Sequence, residues 1–84
     1  MDLRNRIREE ATPNSHWVGS TRMGVEGDHD AVVDERLSVR GVESLRIVDS
    51  GVIPAAPNGN THSTVCVVAR RGAELIAEDR VERL

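Results

Sequence analysis

The chain has 84 residues, a formal net charge of −3 at pH 7 and Trp17 as its only aromatic side chain. A domain of this length buries only roughly 60–65% of the surface its unfolded chain exposes, and the large aromatic side chains that usually dominate a small core are missing. The acidic balance and the lack of stacking aromatics argue against nucleic acid as a partner, and the composition suits a segment that packs against something larger.

Residues 1–14 read as a lead-in, with a short helix over residues 3–11 carried by Leu3 and Ile7 at i, i+4 and stopped by Thr12-Pro13. The same stretch is basic but has no apolar core of the kind a secretion signal needs, and no apolar run anywhere is long enough to span a bilayer, so no membrane partner is expected and the expected location is cytoplasmic. From Ser15 to Gly27 the text is irregular, and Gly24 to Asp30 reads as an exposed loop. Ala31–Val33, Leu37–Val39 and Leu45–Val48 are expected as short strands, with Arg40-Gly41-Val42-Glu43 turning between the last two. Two prolines between Pro54 and Gly59 forbid regular structure. A helix is expected from Thr61 to about Asp79, capped by Asn60 or Thr61. Val65, Val68, Gly72, Leu75 and Ile76 form its broad apolar face, and Cys66 and Val67 widen it, so its first half asks for burial on several sides. Residues 80–84 read as a solvated tail. The expected fold class is thus α+β, short strands followed by one C-terminal helix. Cys66 is alone, which excludes an internal disulfide and reads as a small apolar filler compatible with a reducing compartment. All eleven basic residues are Arg, a hint of a GC-rich bacterial coding sequence.

Three histidines invite a site. His29 lies between Asp28 and Asp30, and a metal could be imagined among His16, Asp28, His29 and His62. No two of these share helical i, i+4 spacing, and adjacent loop residues do not preset a coordination geometry, so no metal is expected. His16, on residue type alone, reads as an ordinary surface or core histidine.

The order of motifs changes that reading. His16-Trp-Val-Gly-Ser-Thr-Arg-Met-Gly24, then Ala31-Val-Val-Asp34, then Arg40-Gly-Val-Glu-Ser-Leu-Arg-Ile-Val-Asp-Ser-Gly-Val-Ile-Pro54, then Gly59-Asn-Thr-His62 closely resemble the C-terminal segment of glucose-methanol-choline oxidoreductases. The match runs from about Ser15 to Ile76, and residues 15–79 are taken as this segment. Each piece alone would recur by chance; their shared order and spacing carry the signal.

The resemblance implies a fragment of a larger fold with an FAD-binding part and a substrate domain. It implies oxidation of an alcohol to an aldehyde or ketone, the carbon-bound hydrogen passing to FAD as hydride while a histidine takes the hydroxyl proton. The matching residue is His16, and imidazole as a residue type titrates near neutral pH, as a general base should. The family sets a second His or Asn opposite that histidine, a role implied for Asn60, with His62 as the alternative. An Asn amide can hold the substrate oxygen without competing for the proton. Asp49, with Ser50 and Gly51, matches the family's acidic residue near the ribityl and diphosphate of FAD; alternatively Asp49 only ends a strand and starts a turn. The backbone of Thr61 and His62, at a helix N-terminus, is where negative charge on reduced flavin would be met.

Departures limit the inference. The family's Cys or similar residue after Gly-Thr is absent, and His62-Ser-Thr replaces the commoner Asn-Ala-Pro. None of the seven glycines falls in G-x-G-x-x-G, so the βαβ unit that holds the ADP half of FAD is missing. The expected partners are therefore a small alcohol and the missing FAD-binding region, or a separately encoded protein carrying it, without which the chain is expected to be inactive and to bind FAD weakly. A truncated gene product or a small non-catalytic interaction module is the competing reading.

Overall fold

A computed structural model describes residues 2–82, the side chain of Glu82 excepted. The first helix, α1, spans Leu3–Glu10. Asp2 caps it by accepting from the Asn5 amide at 2.9 Å, Arg6 and Glu10 pair one turn apart, and the chain turns extended at Ala11 ahead of Pro13. None of its residues is buried, so its Leu3–Ile7 stripe lies open.

The expected strands do not form, and the α+β expectation is corrected here. Among the described residues, regular structure consists of α1, a 3-10 turn at Ser50–Val52 and the long helix α2, His62–Glu82. The Val- and Leu-rich runs meet only in isolated bridges, Met23 with Val33, Val33 with Val39 and Ser38 with Arg46. The physical reason lies between the runs. Asp34 accepts from the amides of Arg36 and Ser38, which curls the chain, and Leu37, Gly41 and Ser44 all adopt left-handed backbone conformations. Segments of three residues separated by such bends cannot stay alongside one another for a second rung of a ladder. The Arg40–Glu43 turn is present, closed by the Val42 amide on the Val39 carbonyl.

What the runs do supply is the core. Val33, Leu37, Val52 and Leu75 are buried together, with Met23, Val32, Val39, Ile47, Val48 and Val68 packed around them. Helix α2 enters this core along Val68, Gly72 and Leu75, of which Leu75 is fully buried. At Gly72 a Cβ would stand 2.5 Å from a methyl of Val48, so the bare glycine is what lets helix and loop touch. The far half of α2 is held by charge: Arg46 pairs with Asp79, and Arg36 reaches both Asp79 and Glu78. The helix passes the expected end at Asp79; residues 83 and 84 of the expected tail lie outside the described residues. Cys66, expected as an apolar filler, is exposed, as are Val67 and Ile76.

Candidate active site

The His16 segment is bracketed by two left-handed residues, Ser15 (φ +58°) and Gly19 (φ +86°). Between them the chain bulges outward, leaving His16 and Trp17 exposed. After Gly19 it is fastened to the 3-10 turn: the Thr21 amide donates to the Gly51 carbonyl at 3.1 Å, and the Met23 amide to the Val52 carbonyl at 3.0 Å. Contact here is intimate, because a Cβ on Gly51 would lie 2.5 Å from the Thr21 hydroxyl oxygen, itself buried without a hydrogen-bond partner.

The turn is built by Asp49, whose Oδ1 accepts from the Gly51 amide at 2.7 Å. Asp49 is thus the N-cap of Ser50–Val52, a local task that leaves its side chain exposed and its other oxygen open.

The second element of the site is the start of α2. Thr61 immediately precedes the helix, and its carbonyl accepts from the Val65 amide at 2.8 Å. Its side chain is buried, at 8% exposure, and its Oγ1 lies 3.0 Å from Nδ1 of His16. The fold therefore brings residues 45 positions apart into direct contact. Asn60, next to Thr61, is exposed beside this pair. His62 is the first residue of α2, exposed, with Nε2 3.7 Å from the sulfur of Cys66 one turn on. Of the residues singled out in the sequence, His16 and Thr61 touch; Asn60 and His62 flank Thr61 along the chain; Asp49, Ser50 and Gly51 form the neighbouring turn behind the His16 segment.

Two arginines close the loop that follows: Arg22, to which the sequence assigned nothing, and Arg40, expected only as the start of the turn to Glu43. Arg22 grips Asp28 with both guanidinium nitrogens, and Arg40 reaches the carbonyls of Val25 and Asp28. The Arg22 hydrogen bonds hold the Asp28 carboxyl down at about 2; desolvation opposes this, while the Asp30 amide and the nearby charge of Arg40 assist. The carboxylates around His29 thus serve an arginine. No group of three metal-ligating side chains exists among the described residues. The Thr61–His16 contact and the Arg22–Asp28 clamp were both beyond sequence reasoning. Nothing in residue type distinguishes a threonine that caps a helix from one that meets a histidine 45 positions away.

The comparisons with known proteins agree with this order of parts. A family model described as GMC oxidoreductase matches residues 1–69. The chain is 37% identical over 70 residues to a glucose dehydrogenase [FAD, quinone] of Drosophila melanogaster, covering 83% of this chain and 11% of that protein. It is 43% identical over 70 residues to an oxygen-dependent choline dehydrogenase of Vibrio vulnificus, covering 83% of this chain and 12% of that protein. An oxygen-dependent choline dehydrogenase of Staphylococcus saprophyticus is 47% identical over 71 residues, covering 83% of this chain and 13% of the relative. The chain thus spans about an eighth of the length of the curated relatives it matches. With the family model covering most of its length, including the His16 segment, the Ser50 turn and the start of α2, the chain belongs to the GMC oxidoreductase family.

Proposed function

We propose that this chain forms the proton-accepting edge of an FAD-dependent oxidoreductase acting on CH–OH groups, with His16 as the base. The observation that carries the reading is the exposed His16 imidazole, held through Nδ1 against Thr61 at 3.0 Å, beside the start of α2. An imidazole held by one nitrogen and open at the other can accept a proton at a defined place.

The residues fit one edge of the cofactor. The first-turn amides of α2 lack intrahelical acceptors, as at every helix start, and with the helix dipole they favour negative charge. Here the hydroxyl preceding the helix is turned toward His16, and His62 and Ser63 are exposed. Asp49, Ser50 and Gly51 fit less directly, because one oxygen of Asp49 is committed to the Gly51 amide. FAD, when bound, supplies the hydride acceptor.

The chain's own residues do the rest. Nε2 of His16 takes the hydroxyl proton as the carbinol hydrogen leaves with its electron pair, so the alcohol loses one proton and one hydride and becomes a carbonyl compound. The Asn60 amide donates to the substrate oxygen and orients it. The backbone of Thr61 and His62 faces the charge that builds up on the acceptor side. Most of the FAD-binding surface and the substrate walls belong to the region that the longer relatives carry outside the matched segment. Val67, 68% exposed on α2, is part of the apolar surface that would pack against that region.

The test is alcohol-dependent flavin bleaching in the assembled enzyme. His16→Ala should slow reduction by about 10²–10⁴, the usual contribution of a general acid or base. Bleaching at the wild-type rate would remove His16 from the role.

A further inference from the structure

We propose that Thr61 is the positioning residue of His16: its side-chain oxygen accepts a hydrogen bond from Nδ1–H and so keeps the lone pair of the neutral ring on Nε2. The inference rests on the reading of His16 as the base, and it names what aims that base.

Both ends of the contact are anchored. Thr61 is buried, its carbonyl is engaged in the first turn of α2, and its β-branched side chain has few χ1 choices. The His16 segment is fixed by the left-handed residues on either side and by the Thr21 and Met23 amides on the Ser50 turn. A 3.0 Å separation between Nδ1 and Oγ1 is therefore set by the backbone of two different segments.

The direction of the hydrogen bond follows from what the ring must do. In neutral imidazole one nitrogen carries the proton and the other accepts, and the partner of one nitrogen decides which. If the Thr61 hydroxyl donated to Nδ1, the proton would sit on Nε2, the nitrogen that has to receive one. Once the ring became imidazolium, Nδ1 would also carry a proton and that bond would be lost. If the hydroxyl accepts, Nε2 is free in the neutral state, and the same Nδ1–H···Oγ1 bond survives protonation and becomes charge-assisted. Only the second arrangement serves both states of the base without a rearrangement.

The imidazole nitrogen shifts of the ¹⁵N-labelled 84-residue chain test this, in the wild type, Thr61→Ser and Thr61→Val. Neutral His16 should be the Nδ1–H form in the wild type and in Thr61→Ser, and should lose that preference in Thr61→Val, with backbone amide spectra reporting whether each variant is folded. An Nε2–H ring in the wild type overturns the proposal whatever the variants do, and so does an unchanged tautomer in folded Thr61→Val. In the assembled enzyme Thr61→Val should lower kcat about 10-fold, less than loss of the base itself, with KM little changed, and Thr61→Ser should restore it. Unchanged turnover in His16→Ala together with an Nδ1–H ring would overturn the base role while leaving the hold of Thr61 on the ring standing.

Discussion

At the scale of single residues, the clearest measurable charge is the Arg22–Asp28 pair. Arg22 holds the Asp28 carboxyl down at about 2, below the ordinary aspartate value of about 3.9. A carboxyl with a lowered folded-state value contributes its stabilisation fully above the unfolded value and loses it as pH falls toward the folded one. The clamp on residues 24–30 should therefore be intact above about pH 4 and weaken progressively toward pH 2. A side-chain ¹³C titration should show the low Asp28 midpoint, and Arg22→Gln should move it up toward that of a free aspartate; a midpoint unaffected by the substitution would mean that Arg22 is not its cause. The residues proposed to carry the chemistry differ in how openly the sequence displays them. His16 and Asn60 stand in ordered motifs at the family's spacing, so type and place sufficed to single them out. The side chain of Thr61 meets His16 in a contact that only the folded chain creates, and Arg22 and Arg40 hold a loop whose own sequence asks for nothing but solvent.

At the scale of elements, α2 is legible because its apolar positions recur at helical spacing, while the expected strands fail because apolar content does not by itself imply pairing. Three Val- and Leu-rich runs do reach the core, but left-handed Leu37 and Ser44 and the Asp34 turn prevent a continuous ladder. Burial and strand formation are separable, and short runs between bends satisfy only the first. The contact between α2 and Val48 makes a direct prediction. Ala in place of Gly72 gains about 1 kcal/mol in helix propensity, but its Cβ would stand 2.5 and 2.9 Å from the two methyls of Val48. A β-branched neighbour cannot swing both methyls away, and overpacking of this kind costs about 1–3 kcal/mol. Gly72→Ala should therefore lower the unfolding midpoint, and adding Val48→Ala should recover part of the loss. A more stable single variant would show that the helix is not pressed against Val48.

At the scale of the whole molecule, the Cα radius of gyration is 17.1 Å, against about 12 Å for a compact domain of this length. Helix α1 contributes to the difference: it buries nothing, so removal of residues 1–11 should leave the thermal unfolding midpoint of the chain unchanged, and a lower midpoint would reveal a packing role for Leu3 or Ile7. Trp17, Val67 and Ile76 also remain exposed. Half or more of each of these side chains is left uncovered within the described residues, and the dinucleotide-binding motif is not in the sequence. Titration of the isolated chain with FAD should accordingly give no tight complex by flavin fluorescence; a stoichiometric yellow complex would show that this segment binds the cofactor unaided. The alcohol itself was not legible at any scale, because the His16 segment, which carries the proposed proton acceptor, lies exposed at the surface rather than enclosed by walls that would select a substrate.

The left-handed bend at Ser15 also carries a consequence for which replacements the neighbourhood of His16 can survive. A serine held at φ +58° can give way to glycine or asparagine, which visit that region readily, but not to valine or isoleucine, for which it is a rare and costly conformation. Variation at position 15 should then be confined by backbone geometry alone, although its side chain takes no part in the proposed chemistry. A saturation library selected for alcohol turnover in the assembled enzyme should recover Gly, Asn, Asp and Ser there and lose the β-branched residues, a filter set by the direction of the chain as it approaches His16.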